Sequence, residues 1–215
     1  MKIIPAILTD KPEELRKMIK QAEDFCDLAQ IDIMDGGFVP SKSISAEDLA
    51  EVDTKLKLEI HLMVDEPSRY LEPFKRAGAS RIIFHYESKE RPSDVIAKIR
   101  NLGLEIGLAI NPPTKIAEIE GFLKDIDVLL LLSVNPGFYG SKFIPEVCDK
   151  ARTLKDMKGD FFIAMDGGIK FDNILLIRDS GVDVACVGSG IYGKVDPKQN
   201  YLRLLEELKS GNSKS

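Results

Sequence analysis

The stretch Leu28-Ala29-Gln30-Ile31-Asp32-Ile33-Met34-Asp35-Gly36-Gly37-Phe38 is an apolar run that stops at two carboxylates and two glycines. An apolar segment bounded by glycine reads as a buried strand. Side chains alternate along a strand, so Gln30, Asp32 and Met34 share one face and Ile31 and Ile33 the other. A carboxylate on a buried face is costly unless it is paired or bound to a metal. Asp32 therefore marks the place where chemistry is expected.

Working outward, the same pattern recurs along the chain. Apolar runs at Lys2–Leu8, Leu58–Met63, Arg81–His85, Glu105–Ile110, Val128–Val134, Phe161–Met165 and Val184–Val187 predict seven more strands. Between them lie helical segments. One opens at Pro12, with Asp10 as its expected cap, and others are Ala46–Ala50, Pro67–Ala77 and Pro92–Leu102. Thr114 is the expected cap of the next, which runs to Leu123, followed by Ile144–Met157, Asn173–Ser180 and Lys198–Leu208. Strands that alternate with helices through short connections form a parallel sheet, and eight such units predict an α/β protein of one domain, a (β/α)8 barrel. The competing open doubly wound sheet often carries a glycine-rich turn after its first strand. Here that position reads Leu8-Thr9-Asp10-Lys11, without glycine. The barrel is assigned to residues 1–208, with a polar, disordered tail at 209–215.

The chain has 215 residues, is 44% hydrophobic and carries a net charge of -5 without a long basic or acidic block, which argues against nucleic acid and anionic membranes as partners. No apolar run approaches the roughly 20 residues of a membrane span. Cys26, Cys148 and Cys186 are scattered and odd in number, as expected of reduced thiols in a cytoplasmic protein. A homo-oligomer is expected.

In barrels of this type the active site lies at the C-terminal ends of the strands. The residues predicted there are Asp32, Met34 and Asp35, then His61 and Met63, His85 and Glu87, Asn111, Ser133 and Asn135, Asp166-Gly167-Gly168, and Gly188-Ser189-Gly190. Both histidines of the chain are among them. Singly, each has a structural explanation, since Asp caps helices and paired glycines make turns. Together on one rim they point to a site. Asp32, His61 and Asp166 can converge on a divalent metal, or the two carboxylates can act as a general acid and base. Gly167-Gly168 and Gly188-Ser189, the latter before an expected short helix, suit a phosphate. His85 and Glu87 can touch substrate or cap a strand and are read as structural, and Met34 and Met63 read as core packing.

These residues resemble the ribulose-phosphate 3-epimerase family through nearly the whole chain. The matching motifs are Ile33-Met34-Asp35-Gly36 with Phe38-Val39-Pro40, His61-Leu62-Met63, His85-Tyr86-Glu87 and Asn111-Pro112. Ser133-Val134-Asn135-Pro136-Gly137-Phe138, Lys142-Phe143-Ile144-Pro145, Asp166-Gly167-Gly168 and Gly188-Ser189 complete them. The resemblance implies C3 epimerisation of a ketopentose 5-phosphate in the pentose phosphate pathway. Asp32 and Asp166 would be the proton-transfer groups, and one divalent ion (zinc, iron, manganese or cobalt) would be held by Asp32, His61, Asp166 and the residue at Gln30. Met34, Met63 and Asn135 would line the pocket, Gly137, Gly140, Gly167, Gly168, Gly188 and Ser189 would hold the substrate phosphate, and the loop from Asn135 to Ser141 would be a lid.

The chain departs from the family pattern around this site. Gln30 stands where the family has His, Ala6 where it has Ser, Gly37 where it has His, Leu132 where Met is usual and Ala164 where Glu is usual. An amide oxygen is a poorer zinc or iron ligand than imidazole. Three readings remain: the pentose epimerase, an epimerase for a six-carbon ketose 6-phosphate such as allulose 6-phosphate with a pocket enlarged at Ala6 and Gly37, or a sugar-phosphate-binding homologue with little catalysis. Barrel decarboxylases with a similar phosphate site resemble Asp-x-Lys-x-x-Asp, and Asp32-Ile33-Met34-Asp35 has no such lysine.

Overall fold

Eight parallel strands close into a barrel, each hydrogen-bonded to the next in sequence and the last to the first. The computed structural model describes residues 1–136, 142–157, 159–193 and 196–210. The order is β1 (Lys2–Ile7), α1 (Pro12–Ala22), β2 (Leu28–Met34), α2 (Ala46–Ala50), β3 (Lys57–Met63) and α3 (Ser68–Arg76). It continues with β4 (Ala79–His85), α4 (Pro92–Asn101), β5 (Glu105–Ile110), α5 (Ile116–Ile119) running into a 3-10 helix (Glu120–Asp125), and β6 (Val128–Leu132). α6 (Val147–Asp156), β7 (Phe162–Asp166), α7 (Ile174–Asp179), β8 (Val184–Val187) and α8 (Pro197–Ser210) complete it.

The strands read as apolar runs because both of their faces are covered. Outward residues such as Ile31, Ile33, Ile60, Leu62, Ile82 and Phe84 pack with the helices' apolar stripes. Inward residues Ile4, Ala6, Ile83, Ala109, Leu130, Leu132 and Ala164 form a separate apolar cluster inside the barrel. The alternation expected of β2 is observed, with Ile31 and Ile33 outward and Gln30 and Asp32 buried on the inner side.

Local details differ from the sequence reading where a side chain has a better partner. Lys11, not Asp10, occupies the N-cap of α1, and the Thr9 hydroxyl accepts the Lys11 N–H at 3.1 Å. Thr114 does not cap α5: its hydroxyl donates to Glu87, and Lys115 takes the cap position. The chain after β8 makes a turn, with the N–H groups of Ile191 and Tyr192 each donating to Gly188 O at 2.9 Å, rather than a short helix. α8 runs on to Ser210.

Lower in the barrel, Glu59 is 1% exposed and accepts from Arg81 Nη1 at 2.6 Å, while Arg81 Nε also donates to Glu105 at 2.9 Å. Burial raises the Glu59 pKa, and the adjacent Arg81 charge only partly offsets it. Two charges at the base of a packed barrel are tolerable because they are paired.

Candidate active site

Barrel register builds the site. Asp32 lies opposite His61 and Met34 opposite Met63 between β2 and β3, and Gln30 lies opposite Ala6 of β1. Asp166, at the end of β7, comes from across the barrel. The Gln30 amide joins the two acids: its Nε2 donates to Asp32 Oδ1 at 2.9 Å and to Asp166 Oδ2 at 2.7 Å. His61 Nδ1 lies 2.9 Å from Asp32 Oδ1 and 3.6 Å from Asp166 Oδ2. Ligand atoms of Asp32, His61 and Asp166 all fall within 4.8 Å of one another. Gln30 Oε1 is buried and has no hydrogen-bond partner among the described residues. Two carboxylates, one imidazole and an orphaned amide oxygen, the last available by turning the amide end for end, fit a divalent cation.

The site is electrostatically tense. Burial, and then the charge of Asp32, push the Asp166 pKa up to about 7, although the charge of His61 and the Gln30 hydrogen bond oppose this. Burial alone would lower the His61 pKa, but the hydrogen bond to Asp32 and the charges of Asp32 and Asp166 carry it above the usual histidine value. A carboxyl group poised near neutrality suits proton transfer.

His85 and Glu87, read from the sequence as structural, prove to be part of the same network. His85 Nε2 lies 2.9 Å from His61 Nε2, and the two rings stack with centroids 5.1 Å apart. His85 Nδ1 lies 3.2 Å from Glu87 Oε2. Phe38 covers the His85 ring, with centroids 4.8 Å apart. Burial drives the His85 pKa down to about 4. Burial would raise that of Glu87, but hydrogen bonds from His85, Thr114 and the Asn111 N–H hold it below the usual range. The available signal was parity: His85 shares a face of β4 with Arg81 and Ile83, which points it into the barrel.

The remaining expected residues fall as follows. Met34 and Met63 are buried together with Val39, against Leu8 and Phe38, as one small apolar cluster. Gly167 and Gly168 follow β7 with φ of 114° and 64°. A Cβ at Gly167 would lie 2.6 Å from Val134, and one at Gly168 would lie 2.8 Å from the Phe143 backbone nitrogen, so this turn excludes side chains. The Ser133 hydroxyl lies 2.9 Å from Asp166 O and 2.7 Å from Gly167 O and fixes the turn. Gly188 and Ser189 follow β8, the strand paired with β7, so both glycine turns sit side by side on one rim. Asn135 is exposed, while Gly137 and Gly140, with most of the expected lid, lie outside the described residues. A Cβ at Gly37 would meet the Asp65 carboxylate at 2.8 Å, so a side chain there would head toward Asp65.

A closed parallel barrel with paired acids and an imidazole at its C-terminal mouth defines a (β/α)8 enzyme equipped for proton transfer. Residues 2–192 match the ribulose-phosphate 3 epimerase family. Ribulose-phosphate 3-epimerase of Bacillus subtilis is 36% identical over 207 residues, covering 93% of this chain and 95% of that one. The Aquifex aeolicus enzyme of the same name is 39% identical over 176 residues, 79% of each chain. The chain belongs to the ribulose-phosphate 3-epimerase family. Among solved structures, 3-hexulose-6-phosphate synthase from Salmonella typhimurium superimposes with a TM-score of 0.73 at 16% identity, over 98% of this chain and 99% of that one. Orotidine 5'-phosphate decarboxylase from Pyrococcus horikoshii does so with a TM-score of 0.69 at 16% identity, over 96% and 99%. Those two likenesses concern the fold alone.

Proposed function

We propose that this protein interconverts D-ribulose 5-phosphate and D-xylulose 5-phosphate by two-base proton transfer at C3, with Asp32 and Asp166 as the two acid–base groups. The observation that carries the reading is the pairing of these two acids, from β2 and β7, on a single Gln30 nitrogen. Their placement suits a substrate carbon held between them, with one acid addressing each face. The acid present as carboxylate removes the C3 proton, and the other, as carboxylic acid, returns one to the opposite face. The high pKa of Asp166 supports its holding that proton near neutrality.

Asp32, His61 and Asp166, with Gln30 Oε1 as fourth donor, would hold a zinc, iron, manganese or cobalt ion. Such an ion supplies polarisation of the adjacent ketone, without which a proton beside a carbonyl is too weakly acidic for a carboxylate. Met34 and Met63 exclude water beside the acids. Gly167, Gly168, Gly188 and Ser189 would receive the phosphate; the support is their adjacency on two neighbouring strand ends. The free thiols of Cys26, Cys148 and Cys186 support a cytoplasmic site of action.

The test is C3 hydrogen exchange and epimerisation in deuterated buffer with each of the four metals, using five- and six-carbon ketose phosphates. Turnover of the pentose is expected. Failure with every metal would overturn the reading, and turnover of the six-carbon sugar alone would transfer it to that substrate, for which buried Ala6 beside Gln30 leaves room.

A further inference from the structure

We infer that His85, backed by Glu87, is a positioning residue that holds the Nε2 proton of His61 and so presents His61 Nδ1 as the ring nitrogen facing Asp32 and Asp166. The inference rests on the proposed function only in calling that nitrogen a metal donor.

The argument follows hydrogen-bond direction. Glu87 Oε1 accepts the Asn111 N–H at 2.8 Å and the Thr114 hydroxyl. An ionised carboxylate can only accept, so the His85 Nδ1 facing Glu87 Oε2 must donate. His85 is fully buried under Phe38 and meets one acid but also a second imidazole, so it stays neutral and carries one proton. With that proton on Nδ1, His85 Nε2 is an acceptor. His61 Nε2, 2.9 Å away, must then be the donor. His61 Nδ1 is left to share a proton with Asp32 or to offer a lone pair. The opposite arrangement would set a bare His85 Nδ1 against a carboxylate.

The network is anchored away from the site. The Glu87 partners sit just after β5, and Lys150 of α6 clamps that loop by donating to Pro112 O at 2.6 Å and to Thr114 O. Metal-binding histidines depend on the partner of their second nitrogen for tautomer and ring orientation. Here that partner is another imidazole rather than a carboxylate, which passes the direction of the proton along without placing a further charge beside the acids.

The chain contains two histidines, so a protein labelled with nitrogen-15 in its imidazoles gives two ring systems to read. In chelator at neutral pH, multiple-bond proton–nitrogen spectra should show His85 protonated on Nδ1 and bare on Nε2, and His61 protonated on Nε2. Zinc should move the His61 Nδ1 resonance and leave its Nε2 proton in place. A bare His61 Nε2, or a His85 proton on Nε2, would overturn the inference whether or not the protein epimerises anything. Glu87→Gln adds an amide donor facing His85 and releases the constraint. Its zinc affinity, by chelator competition, should fall about 10- to 100-fold while excess zinc restores most of kcat. Unchanged affinity with an unchanged His61 pattern would remove Glu87 from the assignment.

Discussion

Replacing Gln30 with Glu tests the central contact of the site, because its sign depends on what lies between the acids. The amide nitrogen donates at 2.9 Å to Asp32 and at 2.7 Å to Asp166. A carboxylate in its place turns the contact with Asp32 into a repulsion, and that with Asp166 as well once Asp166 gives up its proton. At about 3 Å and an effective dielectric of about 20, each like-charge contact costs about 5 kcal/mol. Taking up a proton costs less: raising a carboxyl from about 4.3 to neutrality costs about 3.7 kcal/mol. Gln30→Glu without metal is therefore expected to bind a proton and lose about 3 to 4 kcal/mol at neutral pH. The folded variant then holds more protons than the unfolded chain, so its deficit shrinks as pH falls, to about 1 kcal/mol near pH 5. A divalent cation reverses the order, because the new carboxylate is a stronger donor than an amide oxygen, and the variant should bind zinc at least about tenfold tighter than the parent. Urea unfolding followed by circular dichroism, in chelator and in excess zinc across this pH range, reads both effects. Equal stability of variant and parent in chelator at neutral pH, or equal zinc affinity, would refute the reasoning.

Asp32→Asn and Asp166→Asn should each fold and lose about 10²- to 10⁴-fold in epimerisation, each keeping C3 hydrogen exchange with one epimer only, as proton NMR would show. Arg81→Met leaves Glu59 charged in the barrel base and should cost about 3 to 5 kcal/mol in urea unfolding at neutral pH. That loss should shrink in acid, where Glu59 takes a proton. Gly168→Ala should cost at least about 1 to 2 kcal/mol from its left-handed backbone alone. It should also weaken inhibition by inorganic phosphate relative to the parent.

What the sequence made legible was whatever depends on local period and count. Alternation along β2 placed Gln30 and Asp32 inward, and eight repeats of strand and helix implied closure. The acids and His61 were found because a polar residue ending an apolar run is conspicuous. Contacts that depend on stagger between strands were not legible. His61 sits beside Ile83 in register, yet its Nε2 meets His85 two residues further along β4. Strand parity puts Glu59 on the face of His61 and Arg81 on that of His85, but their pairing with each other depends on the register between β3 and β4. Thr114 had the form of a helix cap, but the half-buried Glu87 carboxylate competes better for its hydroxyl than the exposed start of a single-turn helix does.

The charges inside the barrel also determine how the site should respond to acid. Glu59 is neutralised by Arg81, which leaves Asp32 and Asp166 against a single imidazole. Apolar Ala6 beside Gln30, Leu132 beside Asp166, and Val134 and Ala164 in the same cluster supply no compensating cation. This surplus of negative charge is met either by protons or by a divalent ion, so the two compete for one space. The Asp166 pKa near 7 and the raised pKa of His61 mean that both groups must give up protons before they can act as ligands. Zinc affinity should therefore weaken about 10- to 100-fold for each unit of pH below neutrality, corresponding to one or two protons released on binding. Calorimetric titration in buffers of different ionisation enthalpy counts those protons directly. An affinity that stays flat between about pH 5.5 and neutrality would show that the ion does not bind where Asp166 and His61 hold their protons.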